Sequence, residues 1–248
     1  MKRIITATAA ATLCLAAPAA AATMHRPAAG VPTHAARIAM SANAGTQVAP
    51  STNWAGYTVT GGRGRFSQVY ATFHVPGAVC ALTDTSQANA AGFWVGLDGV
   101  NSATVEQEGI TESCDAIGAA HYAAFTEAYP YENARRAPVA IWPGRVVTTS
   151  TTYAAGVFRL QVGSSVRRVR VPGVARSSAE IITEQPGSAN GQIALTAFHK
   201  ATYTGVGAAW TGPSQTTAIY MVDGAGNIVV VPSALRARGS AFDTTQMF

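Results

Sequence analysis

The chain has 248 residues, with 17 Lys and Arg against 12 Asp and Glu, a formal net charge of +5, and three cysteines. Four cations (Lys2, Arg3, Arg26 and Arg37) precede Ser51 and every acid lies beyond residue 80, so residues 51–248 carry only 13 − 12 = +1. That near-neutral balance argues against a nucleic-acid-binding module, and no run beyond the first two dozen residues is apolar enough to cross a bilayer.

Lys2 and Arg3 precede an apolar stretch from Ile4 to about Ala17, followed by small residues in APAAAA. This pattern predicts a secretory signal peptide over 1–22. Residues 23–50 are rich in Ala and Pro, carry His25 and His34, and contain no acid. They are expected to be a propeptide or disordered linker, with one domain over 51–248. A domain of that size buries about 70% of its unfolded surface. Cys14 leaves with the signal, and Cys80 and Cys114 remain. In an oxidising compartment a disulfide is the natural reading, with two buried thiols as the alternative.

Segments of period two follow one another: 67–77, 92–99, 103–109, 120–130, 145–154, 157–163, 166–173, 179–186, 192–205, 217–223 and 227–233. Turn signals separate them (GGRG, PGR, VGSS, QPGSANG, DGAGN), and no segment sustains an apolar period of 3.6. Short strands at close spacing predict an all-β sandwich or barrel.

Several familiar sites are missing. There is no GxSxG elbow, no HExxH and no phosphate-binding glycine loop, and His74, His121 and His199 are widely spaced. No metal or cofactor is expected. Attention falls on carboxylates and an amide within strands. In SAEIITEQPG, Glu180, Ile182 and Glu184 share a face. In SATVEQEG, Gln107 goes with Val105 on the apolar face, which sends Glu106 and Glu108 towards water. Trp94 and Asp98 share a face of GFWVGLDG, and Glu127 lies between Phe125 and Tyr129. An amide on a core-like face requires partners, and a hydrogen-bonded sheet glutamine would satisfy the same pattern.

NWAGY (53–57), ATFHVP (71–76), WVGLDG (94–99), VEQEG (105–109), TEAYP (126–130) and AEIITE (179–184) occur in this order. Together they resemble the glutamic endopeptidases, the eqolisin family. The resemblance implies an antiparallel β-sandwich of two curved sheets, of the concanavalin A-like or jelly-roll type. It also implies a secreted precursor that cleaves proteins in acid and a catalytic pair formed by Gln107 and Glu184. Trp54, Asp98, Glu127 and Tyr129 fall on positions that line or support the family's cleft. The family's tyrosine–glutamate–tryptophan–tyrosine run reads Thr126-Glu127-Ala128-Tyr129 here, and Ile181 replaces an aromatic.

On this reading Glu184 activates a water, the Gln107 amide stabilises the oxyanion, and the partners are protein or peptide substrates met by a secreted monomer that contacts neither nucleic acid nor membrane. The acid-free leader would cover an acidic cleft. Two other readings stay open. One is a glycoside hydrolase using Glu127 and Glu184. The other is a lectin-like module stacking ligand on Trp54, Trp94 and Tyr129.

Overall fold

The structure, a computed structural model, describes residues 46–188 and 191–248. The expected signal peptide and most of the expected leader lie outside these residues. The strands are β1 (Thr46–Ser51), β2 (Trp54–Gly61), β3 (Phe66–His74), β4 (Asn89–Leu97), β5 (Val105–Cys114), β6 (Ala120–Tyr129), β7 (Glu132–Ala137), β8 (Val146–Ala154) and β9 (Val157–Val162). They continue with β10 (Ser165–Val169), β11 (Ser178–Glu184), the two-residue β12 (Gly187–Ser188), β13 (Gly191–Gln192) and β14 (Ala194–Leu195), then β15 (Lys200–Trp210), β16 (Ser214–Val222), β17 (Ile228–Pro232) and β18 (Ala241–Gln246). The described residues contain only two helical turns, both 3-10 and three residues long.

The strands join in one ribbon, in the order β10-β9-β8-β3-β15-β18-β17-β16-β2-β11-β4-β5-β6-β7, with β1 added in parallel beside β16. The ribbon doubles back on itself, so that β3 packs over β4 and β11, β8 over β4 and β5, and β9 over β5 and β6. This is the antiparallel sandwich that the alternating pattern predicts. Its two ends meet where Arg167 of β10 reaches Thr126 of β6 and Glu132 of β7. The core between the layers includes Tyr57, Phe93, Val95, Leu97, Ile181, Phe73, Phe158, Leu160, Tyr203 and Phe242.

The Cys80–Cys114 disulfide forms, with the Cα atoms 5.5 Å apart. It ties the first 3-10 turn to the end of β5.

Some strand limits differ from the sequence reading. The run expected over 192–205 begins only at Lys200, because the preceding residues cross to pair with β4. β1, except for Ser51, lies within the stretch read as leader. β2, β7 and β18 lie outside the segments expected to be strands. The β7 sequence, ENARRA, has no β-branched or aromatic residue, whereas AFDTTQ of β18 carries Phe242, Thr244 and Thr245 and is legible as a strand. Both take their conformation from neighbours, β7 from β6 and β18 from β15 and β17.

A further correction concerns Glu106 and Glu108. They do not face water: both are fully buried. The expectation assumed that β5 has one wet face. As an inner strand of a folded-over ribbon, β5 is covered on both.

Candidate active site

The registers of β2, β11, β4, β5 and β6 set out rows of side chains across one face. Trp54 pairs with Glu184, which pairs with Gly92 and so leads to Thr111. The next row on that face runs Gly56, Ile182, Trp94, Gly109, Phe125. The third runs Thr58, Glu180, Gly96, Gln107, Glu127. Because strand side chains alternate, these rows share the face opposite the main core. Trp54, Trp94, Val105, Phe125, Ile182 and Ile219 form its own apolar cluster.

Glu184 is held on both oxygens. Trp94 Nε1 donates to Oε2 at 2.7 Å, and Asn53 Nδ2 donates to Oε1 at 3.3 Å. Asn53 is held in turn by Ser51: its backbone N–H donates to Ser51 Oγ, whose hydroxyl donates to Asn53 Oδ1. The Trp54 backbone N–H donates to the same Oγ at 3.1 Å. Trp54 packs edge-on against Trp94, with ring centroids 5.1 Å apart.

Gln107 lies directly opposite Glu127. Its Nε2 donates to Glu127 Oε2 at 2.7 Å, while its Oε1 has no hydrogen-bond partner among the described residues. Burial pushes the Glu127 carboxyl up to about 7, against the hydrogen bonds from Gln107 and the Ala134 backbone. In the same row, burial pushes Glu180 up to about 8, against hydrogen bonds from Ser178 and the Gly99 and Val100 backbone.

Gln107 and Glu184 are two strands and four residues apart, about 10 Å across and 14 Å along a flat sheet. Trp94 fills the interval. Its Nε1 edge holds Glu184, and its Cζ3 edge lies 3.0 Å from where a Gly96 Cβ would sit, itself 3.1 Å from Gln107 Cβ. Two glycines make room for the indole. A Cβ on Gly96 would press on the ring, and one on Gly109 would come within 2.1 Å of the Phe93 carbonyl oxygen and 2.7 Å of Trp94 Cα.

The other candidates divide. Tyr129 is half-buried at the end of β6, packed against the apolar cluster and followed by a cis proline. Asp98 follows β4 with φ of 75° and turns its carboxylate onto the backbone N–H groups of Arg176 (2.6 Å) and Ser177 (2.8 Å). It thereby clamps the entry to β11 rather than presenting a free acid. Burial, its largest influence, raises its pKa against these bonds. Sequence reasoning did not single out Asn53 or Ser51. The signal was their place beside Trp54 in STNWAGY.

Trp54, Trp94, Gln107, Glu127, Glu180 and Glu184 are all at most 1% exposed. These six side chains are covered, whereas Val100, Thr111 and Tyr129 at the margins of the same face are half-buried. Among the described residues, no group of three or more His, Cys, Asp and Glu is arranged to hold a metal ion.

On the reverse, core-facing side of β5 lie three more acids. Thr151 Oγ1 donates to Glu108 Oε2 at 2.6 Å, whereas neither carboxyl oxygen of Glu106 or Glu112 has a partner among the described residues. Burial pushes Glu106 and Glu112 each up to about 9 and carries Glu108 well above the usual range. Asp98 and Glu180 add repulsion at Glu106.

Residues 52–234 match the model of the peptidase A4 family. Among solved structures, scytalido-glutamic peptidase bound to a transition-state analogue inhibitor superposes with a TM-score of 0.65 at 21% identity. That match covers 79% of this chain and 98% of the other, and it establishes the shared fold. The active domain of a bacteriophage CBA120 tailspike protein, at 13% identity, covers 62% of this chain and 23% of its own, with a TM-score of only 0.29. No curated protein matches the sequence significantly.

Proposed function

The chain belongs to the peptidase A4 family and is a peptide hydrolase, and on that premise we propose that it is a secreted, acid-acting endopeptidase in which Glu184 and Gln107 act as a pair. The observation that carries this reading is the shared sheet face on which Trp94 spans the interval between them. Glu184, as carboxylate, takes a proton from a bound water, and the resulting hydroxide adds to the scissile carbonyl carbon. A Gln107 N–H donates to the oxygen that becomes negative. Protonated Glu184 then gives its proton to the leaving nitrogen, the C–N bond breaks, and water has been divided between the acid and amine products. General acid–base transfer supplies ~10²–10⁴ in rate, and one oxyanion donor about 2.7–4 kcal/mol.

Asn53 and Trp94 supply two donors that keep the Glu184 head aimed along the face. Trp54 and Tyr129 offer aromatic surface to an extended peptide, and Asp98 supports the strand that carries Glu184. A glycosidase would pair Glu184 with Glu127, but Glu127 is already engaged by the Gln107 amide. The chain would be made as a precursor with a signal over 1–22 and a basic leader up to residue 50, and it would act as a monomer on proteins or peptides.

Digestion of a denatured protein between about pH 3 and 5 tests the reading. Glu184→Gln and Gln107→Ala should each lose at least ~10² in rate with the fold intact. Undiminished cleavage by either purified variant removes the assigned roles.

A further inference from the structure

We propose that Glu127 is the positioning residue for Gln107, and that its neutral carboxyl form holds the amide for catalysis while its ionised form shuts the reaction down. The inference rests on the reading of Gln107 as oxyanion donor. The amide is fixed at one end only. Nε2 donates to Glu127 Oε2 at 2.7 Å, and Oε1 has no partner among the described residues. A terminal amide can turn over and exchange its oxygen and nitrogen. With Nε2 on Glu127 Oε2, the proton of the neutral carboxyl sits on Oε1, the bare Oε2 accepts, and the second N–H of the amide is left for substrate.

A neutral carboxyl accepts through its carbonyl oxygen and brings no charge. A carboxylate accepts as well, but it places a full negative charge 2.7 Å from the nitrogen that has to face a growing oxyanion. Both side chains are fully buried, so solvent does little to screen that charge. Among the described residues the surroundings provide no compensating cation. On β7, Glu132 is paired with Arg135 and Arg167, Arg136 is exposed, and the remaining contact is the Ala134 backbone. Beyond Gln107 in the same row comes Glu180, another acid, and beyond Trp94 comes Glu184. On β6 itself the neighbours on this face are Phe125 and Tyr129. Burial then makes Glu127 neutral in acid and ionised above about 7.

The experiment is the pH profile of kcat/KM for the parent, Glu127→Gln and Glu184→Gln. The parent should fall on the alkaline side with a midpoint near 7. In Glu127→Gln, which keeps an acceptor and cannot ionise, that limb should move up by at least ~1 pH unit while the acid limb stays. A coincident alkaline limb, or a folded variant inactive at every pH, overturns the proposal. Should Glu127→Gln fail to fold, the Gln107 side-chain ¹⁵N resonance of the parent decides. It should titrate with its midpoint near 7, and a flat response overturns the coupling. Activity in the parent that is lost in Glu184→Gln, together with an unmoved limb, rejects this inference alone. An inactive parent rejects the peptidase assignment itself.

Discussion

Trp94 and Glu184 are joined by an indole N–H donated to a carboxylate at 2.7 Å, although they belong to different strands and different rows of the sheet. The bond runs diagonally, and the rest of the ring extends back toward Gln107. The position of the acid is therefore set by the same side chain that spaces it from the amide.

Replacing Trp94 by Phe keeps most of the ring and removes the donor. A hydrogen bond to a charged group is worth about 1.5–3 kcal/mol, so kcat should fall roughly 10- to 100-fold with the far-UV circular dichroism unchanged. Full activity in Trp94→Phe would show that the indole donor is not needed to aim Glu184.

Stability should be greatest in acid. Glu106 and Glu112, each raised to about 9, Glu180 to about 8, and Glu108 are protonated in the folded chain at pH values where the unfolded chain has released those protons. The folded state then binds more protons, so its stability declines as pH rises. The stabilisation is complete below the unfolded value near 4.5 and is lost progressively towards 9. One such group removes about 1.4 kcal/mol per pH unit, from a total of about 5–15 kcal/mol. Thermal melts should show Tm falling by more than ~10 °C between about pH 5 and 7, and a Tm that is level over that range contradicts the account.

Glu112→Gln isolates one of these groups. Neither Glu112 oxygen has a partner among the described residues, so an amide loses no bond and cannot ionise. Tm at pH 7 should rise by roughly 3–10 °C relative to the parent, with little change at pH 4. An equal change at both pH values would point to packing rather than charge.

Gly109→Ala should be among the most damaging single-methyl changes. The new Cβ would sit 2.1 Å from the Phe93 carbonyl oxygen and 2.7 Å from Trp94 Cβ, both at the centre of the sheet. Overpacking of this kind costs about 1–3 kcal/mol or more. The variant should have a lower urea midpoint, and it should lose peptidase activity because Trp94 is displaced from Glu184.

Cys80→Ser combined with Cys114→Ser opens a closed loop of 34 residues in sequence separation. The chain-entropy relation gives about 3.7 kcal/mol for that length, or roughly 7–15 °C in Tm for a domain of this size. The Trp94–Glu184 and Gln107–Glu127 hydrogen bonds do not involve this crosslink, so kcat at low temperature should be preserved.

The sequence conveyed the sandwich because short strand-like segments follow one another between turn signals, and β8 and β9 alternate buried and open positions in the ordinary way. It also placed Glu180, Ile182 and Glu184 on one face, where the registers put them. It misled at Glu106 and Glu108, because alternation reports which residues share a face and says nothing about whether the second face is dry. Only the folding-over of the ribbon, a relation between β5 and the distant β8 and β9, buries them. The diagonal bond from Trp94, the Asn53 donor and the Gln107–Glu127 pairing were equally out of reach. The first two depend on registers between strands separated by tens of residues, and the third on the register of the β5–β6 hairpin, which alternation along a single strand does not give.

β1 ends at Ser51, whose hydroxyl organises Asn53 and the start of β2, and Asn53 in turn grips Glu184. Any trimming of the N-terminal segment therefore meets a hard stop in the sheet. A cut ahead of Thr46 leaves the strand docked beside β16, whereas a cut after Ser51 unhooks the anchor and slackens the acid it steadies.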